Sequence, residues 1–365
     1  MRFSGFTDEW KSFKLKDLLH NKSSSISINQ LEDNVGNYPL YGASGFLKCI
    51  DFYEMDSDYI SIVKDGSGVG NISFHEKNTS VVNTSEYILP KENLNIHFIF
   101  YLLQTINLDK YKTGSTIPHI YFKDYSIEKV KIPKYDEQKK IGILLKNLDA
   151  KIEILDNKLQ MCQNFKKYLM QQIFTQKLRF DFDEIKLKSI SKINKGKQLN
   201  KEHMLEIGKF YVLNGGQEPS GYTDSWNTSE NTITISEGGN SCGFVNFNTE
   251  KFWSGGHCYY LNKLSENIDV YYLYSYLKFI EPQIMRLRVG SGLPNIQKGD
   301  IENIKIKILP KKEQIKISNL LLSTDNKISS IESQKDSFEI FKKGLLQQMF
   351  VVQLILSLLQ NKKHI

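Results

Sequence analysis

GSTIPHIYFKDYSIEKVKIPKYDEQ (Gly114–Gln138) and GSGLPNIQKGDIENIKIKILPKKEQ (Gly290–Gln314) stand in the same chain and align without a gap. The match continues to Phe174 and Phe350, where KYLMQQIF (Lys167–Phe174) lies opposite KGLLQQMF (Lys343–Phe350). About 24 of about 61 aligned positions are identical. The match also runs backwards, setting Lys110 and Lys112 opposite Arg286 and Arg288. Looser correspondences reach the rest of the chain. RFSGFTDEWKSFKLKDL from Arg2 resembles RFDFDEIKLKSI from Arg179, and YISIVKDGSGVG (Tyr59–Gly70) resembles TITISEGGNSCG (Thr232–Gly243). A repeat of this length means that half the chain is the folding unit, duplicated in tandem.

After each matched hinge the apolar residues take a helical spacing. In the first copy they fall at Ile141, Leu145, Leu148, Ile152, Leu155, Leu159 and Cys162, alternating steps of four and three. The second copy has Ile317, Leu321, Thr324, Ile328 and Ile331, then Phe338, Leu345 and Met349. This is the seam of a coiled coil. Lys166 and Lys342 interrupt both seams at one register, which predicts a shared local departure from helix-to-helix packing. About 38 residues at ~1.5 Å each make a rod of roughly 57 Å. A lone helix would leave its stripe wet, so each rod needs cover. Either its duplicate packs against it antiparallel, or another protein does, or both do on different faces.

The remainder of each half reads as β-rich, with short Val, Ile, Tyr and Phe runs broken by Gly, Asn and Asp. HFIFYLLQTI (His97–Ile106) and VYYLYSYLKFI (Val270–Ile280) are the helical exceptions. The expected division is a globular domain at 1–135, a helix at 136–178, a second domain at 179–311, a second helix at 312–352 and a tail at 353–365. The tail VVQLILSLLQNKKHI has no counterpart in the first copy; either it extends the last rod or it marks a sequence altered near a reading-frame change. Two differing domains on a duplicated spacer suit a ligand with two separated sites. Duplex DNA is such a ligand, with half-sites about 34–36 Å apart per helical turn. Differing domains then imply an asymmetric, gapped target.

At 365 residues, 40% hydrophobic and 24% charged, the chain has the composition of a globular protein of about two domains. MRFSGFTDEW lacks the apolar core of a signal peptide, and FVVQLILSLL (Phe350–Leu359) is about half the length that crosses a bilayer. Cys49, Cys162, Cys242 and Cys258 form no CxxC pair, which speaks against a zinc knuckle or a disulfide framework and for a reducing cytoplasm. The net charge of +7 favours an anionic partner. It is carried almost wholly by lysine beside abundant Asn and Ile, so a solvated lysine-rich surface explains it equally well.

The doubled hinge, the rods ending in QQIF and QQMF, and the EWKSFKLKDL opening (Glu9–Leu18) resemble the specificity subunit of type I restriction–modification systems. The resemblance covers about residues 2 to 350. It implies an α+β fold: a tandem duplication of two mixed α/β target-recognition domains separated by two long antiparallel coiled-coil helices, with pseudo-twofold symmetry. It implies double-stranded DNA as ligand, with each domain reading one half of a bipartite sequence. It further implies two modification (methyltransferase) subunits using S-adenosylmethionine, and restriction subunits using ATP and magnesium. The chain itself would carry no cofactor and no catalysis.

The residues agree with that division of labour. There is no GxxxxGK[ST] phosphate loop and no Asn-Pro-Pro-aromatic string of an amino-methyltransferase. DGSGVG (Asp65–Gly70) lacks the helix pattern of a dinucleotide fold and reads as a turn. DEQK (Asp136–Lys139) has nuclease-like spacing, but its duplicate is KEQI (Lys312–Ile315), so helix N-terminal charge explains it better. His257 and Cys258 beside Cys242 lack a fourth metal ligand, so no metal site is expected. The competing readings are a stand-alone methyltransferase or nuclease, which needs those missing strings, and a bivalent binder of glycans or proteins, which would need export.

The DNA candidates follow from the repeat. Lys110, Lys112, Arg286 and Arg288 are candidates for phosphate contact, or else surface charge at a helix end; the arginines also suit guanine. Ser115 and Ser291 either donate to phosphate or cap a turn before Pro. Lys64, Ser67 and Asn71, with Glu237, Asn240 and Ser241, are polar groups on strand-anchored turns and thus candidate base readers. Lys195, Lys197 and Gln198 form another basic loop, whereas Tyr41 and Trp226 read as packing residues. Glu137, Gln138, Glu313 and Gln314 open the rods in matching fashion, either docking a partner or capping the helices. Duplicated rods offer two equivalent seats, so two copies of one partner are expected.

Overall fold

In the computed structural model, which describes residues 2–31, 34–175, 183–290, 292 and 294–351, the chain divides into two units. Side chains are described up to Phe350; Ser291, residues 179–182 and the tail at 353–365 lie outside the described residues. One unit joins residues 1–156 to 333–365 and the other is 157–332. Each therefore takes the start of one long helix and the end of the other.

The first unit holds nine strands: β1 (Lys11–Lys14), β2 (Leu19–Ser23), β3 (Tyr38–Gly42), β4 (Gly45–Ile50), β5 (Tyr59–Val63), β6 (Ile72–His75), β7 (Ser80–Val81), β8 (Ser85–Pro90) and β9 (Lys129–Ile132). They form an antiparallel sheet in the order β2-β8-β5-β6, a sheet β4-β3-β7 with a parallel β3–β7 pair, and a β1–β9 ribbon. Every residue of β5, YISIV, is buried, as a central strand covered on both faces requires. Helix α1 (Ile96–Gln104) packs on this sheet, its N-terminus capped by Asn95, whose side chain accepts from Phe98 N–H at 3.0 Å.

The second unit repeats this strand for strand: β10 (Asp183–Lys186), β11 (Lys192–Lys195), β12 (Phe210–Leu213), β13 (Gly221–Thr223), β14 (Thr232–Ser236), β15 (Val245–Asn248), β16 (Trp253–Ser254), β17 (Cys258–Asn262) and β18 (Lys305–Ile308). The sheets are β11-β17-β14-β15, β13-β12-β16 and β10–β18, again with one parallel pair, β12–β16. The helices complete the set: α2 (Tyr135–Phe174) leaves the first domain, α3 (Val270–Phe279) matches α1, and α4 (Lys311–Leu346) passes into a π-helical turn at Gln347–Val351. The mixed α/β domains, duplicated in tandem with a long helix after each, are thus observed.

The helix stripes face inward. Ile141, Leu145 and Leu148 join Leu345, Met349 and Phe350 in the core of the first unit. Met170, Ile173 and Phe174 join Ile317 and Leu321 in that of the second. The terminal phenylalanines are plugs. Phe350 lies 6.3 Å from Trp10 and 5.4 Å from Phe98, and Phe174 lies 5.3 Å from Tyr276 and 5.8 Å from Tyr272. In the first unit Asp149 meets Lys342 at 2.5 Å and Asp156 meets Lys335 at 2.6 Å, so partner numbers fall as α2 advances and the helices run antiparallel. In the second unit Asp325 meets Lys166, also at 2.5 Å.

These pairs correct the expectation for Lys166 and Lys342. Packing continues through them: each ammonium reaches the equivalent aspartate of the facing helix. A tyrosine of the domain helix completes each group, Tyr101 O–H donating to Asp149 at 2.6 Å and Tyr271 O–H to Asp325. Burial, and then the neighbouring carboxylate, push both phenols well above their ordinary range. Each group ties three helices together.

Candidate nucleic-acid interface

The two glycine turns and the two hinges are neighbours, one pair in each unit, although more than forty residues separate them in the chain. In the first unit Gly66 N–H donates to Pro118 at 2.9 Å and Ile120 N–H donates to Lys64 at 2.9 Å. In the second, Gly239 N–H donates to Pro294 at 3.0 Å and Ile296 N–H donates to Glu237 at 2.9 Å. The hinges are themselves small hairpins, closed by Thr113 with His119 and by Val289 with Asn295. Gly66, Gly70 and Gly114 have φ of 81°, 89° and 87°, and Gly239, Gly243 and Gly290 have 74°, 89° and 104°. The turns thus need glycine at the same three places.

This packing gathers most of the candidate residues at one place per domain. Lys64 is half-buried, with its ammonium 3.4 Å from Ser23 Oγ, while Ser67 is exposed at the turn. Lys112 lies beside Gly70, its Nζ 3.9 Å from where a Cβ would stand. It pairs with Asp109 at 2.6 Å, and Lys110 pairs with Glu128 at 2.7 Å. Ser115 is exposed on the hinge. Asn71 closes the turn, its N–H donating to Gly68 at 2.9 Å.

In the second unit Arg286 and Arg288 are exposed and enter no ion pair among the described residues. Asn240 is exposed and Ser241 half-buried on the turn. Lys195 reaches the turn from β11 and pairs with Glu237 at 2.6 Å. Lys197 and Gln198 are exposed on the following loop, which Trp253 Nε1–H fastens by donating to the Lys197 carbonyl at 2.8 Å. Tyr41 packs 4.5 Å from His75, while Trp226 is 45% exposed under Lys251.

Glu137, Gln138 and Gln314, read as either docking a partner or capping the helices, are 1%, 2% and 0% exposed, which favours the structural reading. Glu137 takes both Arg2 donors at 2.8 Å. Gln138 donates to Pro133 at 2.9 Å and accepts from Asn95 N–H at 3.0 Å. Gln314 donates to Leu309 at 2.7 Å and accepts from Asp269 N–H at 2.8 Å. These side chains bolt each helix start to its own domain and offer nothing to a partner. Glu313 is half-buried and pairs with Lys316 at 2.9 Å. The heptad spacing extended back one step from Ile141 and Ile317 reaches Gln138 and Gln314, so a signal for their burial was present.

Cys242 and Cys258 are buried free thiols, and burial pushes Cys258 up to about 11. Among the described residues no cluster of three or more His, Cys, Asp and Glu side chains could hold a metal ion. No described helix is long and apolar enough to cross a membrane. Functional candidates missed in the sequence are on the helices. Met161, Phe165, Tyr168, Ile340 and Phe341 are 51–72% exposed, and Phe165 and Phe341 are equivalent positions of the repeat.

Comparison with known proteins matches residues 7–162 and 180–339 to the family described as type I restriction modification DNA specificity domain. A Mycoplasma genitalium protein described as a type I specificity subunit is 34% identical over 147 residues, 40% of this chain and 38% of that relative. The type I restriction enzyme MjaVIII specificity subunit of Methanocaldococcus jannaschii is 22% identical over 390 residues, 93% of this chain and 91% of that protein. The fold is similar to the crystal structure of a type I restriction–modification S subunit from M. genitalium, with TM-score 0.80 and 20% identity, covering 96% of this chain and 98% of that one. With its domain matched twice in tandem over most of its length, the chain belongs to the type I restriction–modification DNA specificity family.

Proposed function

We propose that this chain is the non-catalytic, sequence-reading subunit of a type I restriction–modification complex, binding a bipartite, gapped sequence in double-stranded DNA. The observation that carries the reading is the repeated turn-and-hinge contact, which collects basic and polar side chains at one matched place on each of two unlike domains. Lys110, Lys112, Ser115, Lys197, Arg286 and Arg288, with Ser291, serve phosphates and the groove edge; Lys64, Ser67 and Lys195 stand nearest the bases. Arg286, Arg288 and Lys197 have the strongest claim to phosphates, because all three are exposed and no carboxylate engages them among the described residues.

The modification subunits seat on the outer faces of the two long helices, one on each copy of the repeat. Exposed Phe165 and Phe341 at the same register support two equivalent seats. S-adenosylmethionine is expected on those subunits, ATP and magnesium on restriction subunits, and the assembly in the cytoplasm. Mapping methylated adenines in cells with and without this gene tests the reading. One bipartite motif whose methylation disappears with the gene is the expected result; an unchanged methylation map would refute it.

A further inference from the structure

Lys64 and Glu237 occupy one position of the repeat, since each carbonyl accepts the matched hinge amide and each follows the matched strand, β5 or β14. The neighbouring strand end is Ser23 in the first unit and Lys195 in the second, and their register partners on the adjoining strand are Glu86 and Tyr259. Each unit thus has a lysine and a carboxylate here, placed in opposite order. In the first, the carboxylate lies behind: Glu86 is 3% exposed and satisfied by Tyr125 O–H at 2.6 Å and Asn21 at 3.1 Å, which leaves Lys64 at the mouth. In the second, the carboxylate stands at the turn itself. Glu237 Oε1 accepts from Lys195 at 2.6 Å and Tyr259 O–H at 3.0 Å.

The other oxygen is different. Glu237 Oε2 is buried and has no hydrogen-bond partner among the described residues; His257 Nδ1, at 3.6 Å, is beyond bonding distance. Asn295 Oδ1, on the hinge segment that bridges to Gly238, is a second buried acceptor without a partner among the described residues. Two empty acceptors at the contact of turn and hinge ask for N–H donors from outside, because buried oxygens are otherwise satisfied. The His257 imidazole beside Oε2 is 63% exposed.

We propose that Glu237 reads the exocyclic amino group of adenine or cytosine in the second half-site, and that Lys64 reads guanine at the equivalent place in the first. In the major groove adenine N6 and cytosine N4 are donors that suit carboxylate and amide oxygens, whereas guanine O6 and N7 are acceptors that suit an ammonium. The proposal rests on the DNA-reading function given above and specifies its chemistry.

The test is selection of duplexes from a randomised pool by the full chain, comparing the native protein with Glu237→Ala and Lys64→Glu. The native second half-site contains one position enriched in adenine or cytosine, and the base enriched tells the two apart. In Glu237→Ala that preference falls at least tenfold while the first half-site stays, which also reports that the protein is folded and binds. In Lys64→Glu one position of the first half-site moves from guanine to adenine or cytosine. A second half-site unchanged in Glu237→Ala overturns the proposal. If Glu237→Ala erases the whole second half-site, Lys64→Glu decides: an unaltered first half-site overturns the proposal and the shift sustains it. A native chain that enriches no sequence would instead refute the DNA-reading function itself.

Discussion

Gly70 and Gly243 show how one repeated residue meets two surroundings. Both have φ of 89°, so alanine at either place carries the left-handed penalty of about 1–2 kcal/mol. A Cβ at Gly70 would stand 3.5 Å from the flexible Lys112 side chain, but at Gly243 it would stand 2.9 Å from the Met285 backbone. Gly243→Ala is therefore expected to destabilise its unit by about 1–3 kcal/mol more than Gly70→Ala destabilises the other, measured by denaturant unfolding. His75 supplies a pH dependence. Its ring lies between Tyr41 and Tyr59 at 4.5 and 5.0 Å, Nε2 is 2.9 Å from Ser61 Oγ, and burial pushes it down to about 4. A depressed histidine favours the folded state above the unfolded value near 6.5, and that contribution is lost as pH falls towards 4. The native protein should lose on the order of 2–3 kcal/mol more than His75→Gln between pH 7 and pH 4, read from thermal unfolding at both pH values. Neither effect was legible in the sequence, because it depends on which atoms surround the residue.

At the scale of elements, the long helices were readable and their fastenings were not. The four-and-three spacing from Ile141 and from Ile317 marks the buried stripe, because helical geometry puts those positions on one face whatever packs there. The same sequence presented Lys166 and Lys342 as interruptions. A lone lysine on a seam looks like a defect; Asp325 and Asp149, which receive it, lie on the facing helix, and only folding brings them within 2.5 Å. The outer face follows a separate logic. Phe165 and Phe341 are 53% and 51% exposed, so replacing them with serine removes little native packing. F165S and F341S are each expected to change stability by less than about 0.5 kcal/mol while halving the number of modification subunits retained, and the double variant to abolish retention. Co-purification with the modification subunit, counted by native mass spectrometry, checks both numbers; full retention by the double variant would move the seat elsewhere.

For the molecule as a whole, the proposed function assigns base preference to the domains one at a time. Exchange of residues about 1–135 for the corresponding domain of another family member is expected to change one half of the methylated motif and keep the other, as read from adenine methylation maps. Change in both halves would contradict the division between domains. Binding should also weaken as salt rises, because lysine and arginine contacts to phosphate release counterions. The sequence by itself determined the duplication, the two seams and the family, because repeated strings and helical spacing are local properties that survive without coordinates. Tertiary structure alone decided which groups Glu137, Gln138 and Gln314 bond, how Lys166 and Lys342 are satisfied, and that turn and hinge form one surface with opposite charge order in the two domains. Those outcomes depend on groups from distant segments meeting within hydrogen-bond reach. Linear spacing carries no record of which oxygen is left without a donor once they have met.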